Sequence, residues 1–372
     1  MNAPPATRAS DDLHARVQRF IRTVDLERPT PASLAEREEI AIEVARFQAA
    51  EVEALATLWQ ARGGTDASLR SWTEIPALSC DVFRARRVAA HPADADVRRF
   101  RTTGTTRGAE ARGEHPLRTT RTYQAAALLW GEHMLWPDRG VLEFIGLVPP
   151  EEEAPDSSLS FMLACFAKIL RGSTSWHVHG GALDIDSVAR ACSEARKRGL
   201  AALVAGTSLA FAELCDELDR ASLALPAGSR IMHTGGFKGR DRAIDADSLR
   251  KLIAALFRVP PSHVVGEYGM TELSSQLYEG SLRRALGLGL PAAQPGCFYP
   301  PPWMQVRTLA PETLEETPAG EPGLCELLDL ANVDSAVRIL TADLAATRPD
   351  GAVELRGRAA GAPARGCSLG ID

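Results

Sequence analysis

The sequence predicts an α/β fold. It should have mixed sheets flanked by helices, a helical segment in front and a small β-rich subdomain behind. Three observations carry this. Helical and strand patterns alternate from about residue 70 onward, as in helices layered on a sheet. Short apolar runs such as VLEFIGLV (141–148) and LAALVAG (200–206) read as strands buried on both faces. Near 295–360, MQVRTL, LCELLDL, AVRIL and AVELRG form a strand series, and two of them alternate apolar and polar residues as a half-exposed sheet does.

Taken in order, the first 62 or so residues read as helical. Ser33 opens a capping box with Glu36 in SLAE, and the helix should run to Gly63-Gly64, with Ile40, Ile42, Val44, Phe47 and Val52 supplying its apolar faces. RTYQAAALLWGEHMLW reads as a helix closed by Pro137. SSLSFMLACFAKIL, DSVARACSEARKRGL and SLAFAELCDELDRA read as further helices. RIMHTGG and HVVGEYG read as strands ending in loops. Pro and Gly cluster at 287–302 and 310–323, which marks connections. The expected division is a helical segment over 1–65, a main domain over 66–360 and a short tail over 361–372.

Composition limits the functional classes. The chain has 372 residues, 45% of them hydrophobic, enough for one large core or two domains. A formal net charge of −6 favours neither nucleic acid nor an anionic membrane as partner. No apolar run reaches the ~18 residues of a membrane span, and MNAPPATRASDD has no apolar signal core, so a cytoplasmic location is expected. Seven widely spaced cysteines without a CxxC argue against a disulfide framework or a zinc knuckle. Ten arginines face four acidic residues in 82–121, which reads either as a solvated surface or as a positive rim for a polyphosphate.

Three stretches carry candidate chemistry. RTTGTTRG (101–108) can wrap an anion, because glycine lets backbone N–H groups converge and threonine hydroxyls add donors. It lacks the GK[ST] ending of a Walker A loop. GEYGMTELSS (266–275) follows an apolar strand. Tyr268 could stack on a flat ring, Thr271 donate to a phosphate and Glu272 hold Mg²⁺. TADL (341–344), Asp350-Gly351 and Gly357-Arg358 follow, and Asp343 could bind a ribose diol. In SWHVHGG, His177 and His179 would share one face of a strand, either as a metal pair or as satisfied pocket histidines.

The order TTGTT, HTGG, YGMTE, TADL…DG…GR resembles the adenylate-forming superfamily of acyl-CoA synthetases, luciferases and peptide-synthetase adenylation domains, over roughly residues 70–360. That resemblance implies the large-domain fold of those enzymes, with ATP and Mg²⁺ as cofactors. It implies phosphate contacts from Thr102, Thr103, Gly104, Thr105, Thr106 and Gly108, although Ala109-Glu110 stands where the usual Pro-Lys would end the loop. It further implies Gly235 and Gly236 beside the nucleotide, Tyr268 and Gly269 at the adenine, Thr271 in catalysis, Glu272 on the metal, and Asp343 and Arg358 at the ribose. His177 and His179 would border the acyl pocket. Most members continue into a small C-terminal domain carrying a lysine. Here fourteen residues follow Arg358 and no lysine follows Lys251, so a full C-terminal domain is not expected.

The RGCSL ending and the TGGxK-like segment resemble the LuxE-type acyl-protein synthetase branch. This implies activation of a carboxylic acid, a fatty acid by family habit, as an acyl-adenylate. The acyl group would then pass to Cys367 and on to a protein acceptor such as a reductase or carrier protein. Lys238 in HTGGFKG reads either as the point charge a C-terminal lysine would otherwise supply or as an ordinary loop lysine. The alternatives are an acyl- or aryl-CoA ligase of the phenylacetate type, or a non-catalytic nucleotide-binding subunit.

Overall fold

The computed structural model describes residues 5–62, 69–102, 112–138, 140–218, 223–235, 245–290 and 295–359. The chain opens with three helices, α1 (Pro5–Thr23), α2 (Pro31–Glu51) and α3 (Glu53–Ala61). Then come the short strand β1 (Leu78–Ser79), the single-turn helix α4 (Val82–Ala85) and a hairpin of β2 (Arg98–Arg101) and β3 (Glu114–Leu117). The α/β part follows as α5 (Arg121–Leu135), β4 (Glu143–Leu147), α6 (Ser158–Ile169), β5 (Thr174–Trp176), the small pair β6 (Val178–His179) and β7 (Ala182–Leu183), α7 (Ile185–Arg198), β8 (Ala202–Thr207), α8 (Ser208–Glu217), β9 (Arg230–Thr234), α9 (Ala246–Phe257) and β10 (Val264–Tyr268). The chain then turns β-rich: β11 (Leu277–Glu279), the short α10 (Ser281–Ala285), β12 (Cys297–Tyr299), β13 (Met304–Leu309), β14 (Gly323–Asp329), β15 (Arg338–Thr347) and β16 (Val353–Arg358).

One large mixed sheet joins both halves, in the order β13-β14-β15-β16-β12-β11-β10-β9-β8-β4-β5, with β1 added parallel to β15. Strands β5, β4, β8, β9 and β10 are parallel, and from β11 to β13 every pairing is antiparallel. The central parallel strands β4, β8 and β9 are buried along their whole length, as strands covered on both faces are. The helices start where the sequence offers a cap. Ser157, Asp184, Thr207 and Asp245 each accept the backbone N–H three residues on. Gly199, at φ 67°, closes α7 in the left-handed conformation that glycine adopts without strain.

Two cores result. On one face, α7, α8 and α9 bury Val188, Phe211 and Ile253 against Ile145, Val204, Ile231 and Val264. On the other, α5 and α6 bury Tyr123, Trp130 and Phe161 against Phe144, Leu203, Met232 and Val265. That second core continues into the antiparallel half through Trp303, Leu327 and Ile339. It also takes in Val17, Phe20, Ile40 and Val44 from the N-terminal helices, each burial worth roughly 1.5–3 kcal/mol. The N-terminal segment is thus built into the main core. Polar contacts tie it to the segment 329–337. Gln48 donates to the carbonyls of Asn332 (2.6 Å) and Val333 (2.9 Å) and accepts from the N–H of Val337 (2.9 Å). Asp334 is held by Ser10, by His14 at 2.9 Å and by Arg118 at 3.6 Å.

Three local expectations are corrected. The N-cap of α2 is Thr30, whose hydroxyl accepts from the N–H of Ser33; with Pro31 free to occupy the first turn, Ser33 lies inside the helix. The helix does not run unbroken to the glycine pair, because Val52 adopts an extended conformation (φ −108°, ψ 106°) and separates α2 from α3. His177 and His179 do not share a strand, since β5 ends at Trp176 and β6 begins at Val178. No helix among the described residues is long and apolar enough to cross a membrane.

Candidate active site

The parallel strands deliver their C-terminal ends to one edge of the sheet, where open α/β folds bind ligands. Strand β9 ends at Thr234, and Gly235 follows at φ 80°, a left-handed turn suited to glycine. The Ser208 hydroxyl, at the start of α8, donates to the Gly235 carbonyl (2.8 Å) and lies 3.0 Å from Nδ1 of His233. With that hydroxyl proton spent, Nδ1–H donates to the oxygen and Nε2 keeps the lone pair. This Nε2 is buried without a hydrogen-bond partner. Burial pushes the His233 ring down to about 4, so it is neutral at pH 7.

Strand β10 ends at Tyr268 and leads into the YGMTE turn. A Cβ on Gly269 would stand 2.5 Å from Oε1 of Glu267, so any larger residue there would have to displace that carboxylate. The Tyr268 hydroxyl donates to Oδ2 of Asp343 (2.9 Å), and Arg358 reaches Oδ1 of the same carboxylate at 3.3 Å. Asp343 and Arg358 are direct partners in the β15–β16 ladder, with an irregularity after Leu344. The antiparallel half therefore sets this pair opposite the end of the parallel half. Burial, reinforced by the Asp343 charge, raises the Tyr268 phenol well above its ordinary range and keeps it a donor. Nε and Nη2 of Arg358 are buried and make no hydrogen bond. Two unused N–H donors beside a carboxylate suit a ribose and a phosphate oxygen, so these residues fit a nucleotide.

Glu272 is fully buried, and its carbonyl accepts from Nδ2 of Asn332 at 2.9 Å. No cluster of three or more His, Cys, Asp or Glu side chains arranged for a metal occurs among the described residues. A single carboxylate here fits a Mg²⁺ that draws its other oxygens from phosphates and water. Thr271 offers its carbonyl to Nδ1 of His115 at 2.8 Å, while Nε2 of His115 lies 3.0 Å from the Ser335 hydroxyl. His115 is wholly buried, and that burial pushes it down to about 4. Below the turn, Asp329 accepts from Ser274 N (2.9 Å) and Ser275 Oγ (2.8 Å). Asn332, Asp329 and His115 thus brace the turn from beneath, and sequence reading missed all three. The run LDLAN, rich in polar groups between two apolar strands, was the available signal.

Thr102 is buried, its hydroxyl accepts from Gly113 N–H (2.8 Å), and its own N–H donates to Gly113 O (2.9 Å). It closes the stem of the Thr/Gly loop, and because the hydroxyl is used there only as an acceptor, its proton is left to donate. Thr103, Gly104, Thr105, Thr106, Gly108, Gly236, Lys238 and Cys367 lie outside the described residues. His177 and His179 do not converge. The two ring nitrogens of His177 contact Ser187 (2.6 Å) and Ser175 (2.8 Å), whereas exposed His179 pairs with Glu153 at 2.6 Å. The Arg-rich stretch is mostly self-neutralised: the described arginines from Arg86 to Arg118 each have a carboxylate oxygen within 3.8 Å.

Comparison with known proteins agrees with this fold. An open conformation of 2-hydroxyisobutyryl-CoA ligase superposes with a TM-score of 0.60 over 87% of this chain and 70% of that one, at 14% identity. ATP-bound MatB from Rhodopseudomonas palustris gives 0.51 over 94% and 73%, at 16% identity. The fold is that of the adenylate-forming ligases. Residues 210–372 match the family described as "Acyl-protein synthetase, LuxE". A long-chain-fatty-acid–luciferin-component ligase of Vibrio harveyi is 25% identical over 150 residues, which span 38% of this chain and 36% of that ligase. The C-terminal part of the chain is thus similar to LuxE-type acyl-protein synthetases, and the fold as a whole to that of adenylate-forming ligases.

Proposed function

We propose that the protein is an ATP-dependent acyl-protein synthetase that activates a carboxylic acid, a fatty acid by analogy with its Vibrio relative. The observation carrying this reading is the Tyr268–Asp343–Arg358 constellation at the strand ends, with buried Glu272 in the adjoining turn. Tyr268 offers a flat face for the adenine, while Asp343 accepts from ribose hydroxyls and Arg358 donates its unused N–H groups. Glu272 would hold Mg²⁺, whose charge offsets that of the phosphates when bound. In the first half-reaction an oxygen of the substrate carboxylate attacks the α-phosphorus. The bond to the bridging oxygen breaks, and pyrophosphate leaves with the electron pair. In the second, the Cys367 thiolate attacks the acyl carbon and AMP departs, leaving a thioester. Lys238 is assigned the positive charge beside the reacting groups. The acyl group then passes to a protein acceptor, a reductase or carrier, in the cytoplasm.

The test is intact-protein mass spectrometry after incubation with ATP, Mg²⁺ and a panel of carboxylic acids, together with acid-dependent pyrophosphate release. The expected result is an ATP-dependent acyl adduct on the C-terminal peptide that Cys367→Ala abolishes. Absence of acid-dependent pyrophosphate release across the panel would overturn the reading. Release without an adduct would move the acyl acceptor from Cys367 to an external thiol.

A further inference from the structure

A triphosphate, and still more the pyrophosphate leaving it, carries several negative charges that need fixed cations. Around the Thr/Gly loop the described cations are mostly committed to carboxylates. Lys168, Lys197 and Lys251 are engaged by Glu151, Glu194 and Asp247. Arg101, at the first end of the Thr/Gly loop, is committed to Glu114 at 2.9 Å, and Arg112, at the other, to Asp156 at 3.1 Å.

Arg84 breaks this pattern. Alone among the described arginines from 84 to 118 it has no carboxylate partner, and its Nε is buried without a hydrogen bond. A solvated surface arginine would keep that donor hydrated. Its place is also specific. A Cβ added to Gly113 would stand 3.3 Å from Cγ of Arg84 and 3.3 Å from Cγ2 of Thr102, so the arginine stem packs on the stem of the Thr/Gly loop. The neighbouring Phe83 packs edge-on against His115 (centroids 5.9 Å apart), and His115 donates to the Thr271 carbonyl. Helix α4 therefore lies against the base of the Thr/Gly loop and, through His115, is linked to the YGMTE turn that carries Glu272.

Building on the proposed function, we propose that Arg84 is the cation that binds the β- and γ-phosphates of ATP and stabilises pyrophosphate as it departs. The guanidinium acts by charge and by its paired N–H groups, exchanging no proton. It does not contact the AMP portion, which belongs to Tyr268, Asp343 and Arg358. The role is therefore separable by ligand.

The experiment is calorimetric titration of ATP with Mg²⁺, of AMP and of inorganic pyrophosphate into the full chain. The proteins compared are the wild type, Arg84→Ala, Arg84→Lys and the ion-paired control Arg86→Ala. Losing a charge-assisted contact should weaken ATP and pyrophosphate binding of Arg84→Ala by about tenfold or more, with AMP affinity unchanged. Arg84→Lys should recover part of the loss, since it restores charge without the planar fork, and Arg86→Ala should match wild type. In steady state the KM for ATP should rise while that for the acid stays put. Wild-type affinity for ATP in Arg84→Ala would overturn the inference, and so would equal losses for AMP and ATP, which would mark a general distortion. Wild-type protein that binds neither ATP nor AMP would instead remove the nucleotide reading, and this inference with it.

Discussion

Two buried glutamates on neighbouring strands of the sheet behave in opposite ways. Glu279 of β11 lies on the face covered by α8 and α9. It receives Arg250 (2.5 Å) and the N–H groups of Gly266 (2.7 Å) and Gly296 (2.5 Å). Burial works against its charge, yet Arg250 outweighs that and holds the carboxyl below its ordinary value. Glu267 of β10 lies on the opposite face, beside Tyr123 and Tyr278, and takes a hydrogen bond from Thr234 but no cation among the described residues. Burial pushes it up to about 7. One residue type, a strand apart, forms a structural ion pair on one face and a titratable group on the other. Alternation along the strands decides which, because it sorts the side chains between a face with an arginine and a face with tyrosines.

The largest effect should come from breaking the compensated side. Glu279→Ala strands Arg250 in the core and should cost about 3–5 kcal/mol in urea unfolding. Replacing both partners with apolar residues should recover much of that. A normal stability for Glu279→Ala alone would mean that the pair is not what fixes this face.

Asp334 is a second compensated carboxylate, and it joins α1 to the segment beneath the YGMTE turn. Burial is again opposed, here by hydrogen bonds from His14 and Ser10 and by the charge of Arg118, and the carboxyl sits below its ordinary value. Its contribution is therefore present above the unfolded value of 3.8 and is lost as the pH falls through the lower folded value. Asp334→Ala should cost about 2–3 kcal/mol near neutral pH, because His14 Nε2 and the Ser10 hydroxyl proton lose their buried acceptor. Hydrogen exchange should then report faster opening of α1 than of β9. Uniform protection in the variant would sever the link between α1 and the site.

Glu267 gives the third prediction, and its sign is reversed. The folded value is raised, so its contribution is fully present below pH 4.5, the ordinary value, and is lost as the pH climbs through about 7. The total swing is on the order of 3 kcal/mol. Glu267→Gln should flatten the decline in stability between pH 5 and 8, most visibly at the alkaline end. An unchanged slope would place the titration elsewhere.

Legibility followed the same division. The alternation of β4, β8, β9 and β10 with their helices was readable, because the apolar period and caps are local signals. Tyr268, Asp343 and Arg358 sit in compact motifs that sequence alone singles out, and the structure brings the three side chains together. The burial state of Glu267 and Glu279 was not, because it depends on which face packs against Arg250, twenty-nine residues from Glu279. Nor was the brace of Asn332, Asp329 and His115, nor the Gln48 contact that reaches Asn332 from 284 residues away. The break at Val52 was hidden because valine is as apolar as its neighbours, and the α2 cap was displaced because Thr30 precedes a proline that fits the first turn.

The smallest stability effect, and the sharpest functional one, is expected at Asp343. Its ion pair with Arg358 borders solvent on one side, with the aspartate side chain 19% exposed and the arginine 8%. Such a pair contributes roughly 0–1 kcal/mol once screening is counted. Asp343→Ala should therefore unfold within about 1 kcal/mol of wild type. It removes the acceptor for both the Tyr268 hydroxyl and a ribose diol, so AMP affinity should fall by about tenfold or more. Tyr268→Phe separates the two uses of the carboxylate: it keeps the ring face and the aspartate and deletes only the hydrogen bond between them. If Asp343 acts on the ribose directly, Tyr268→Phe should lose much less AMP affinity than Asp343→Ala. Equal losses would mean that the carboxylate serves mainly to orient the tyrosine, making it a positioning group like Asp329 below the turn.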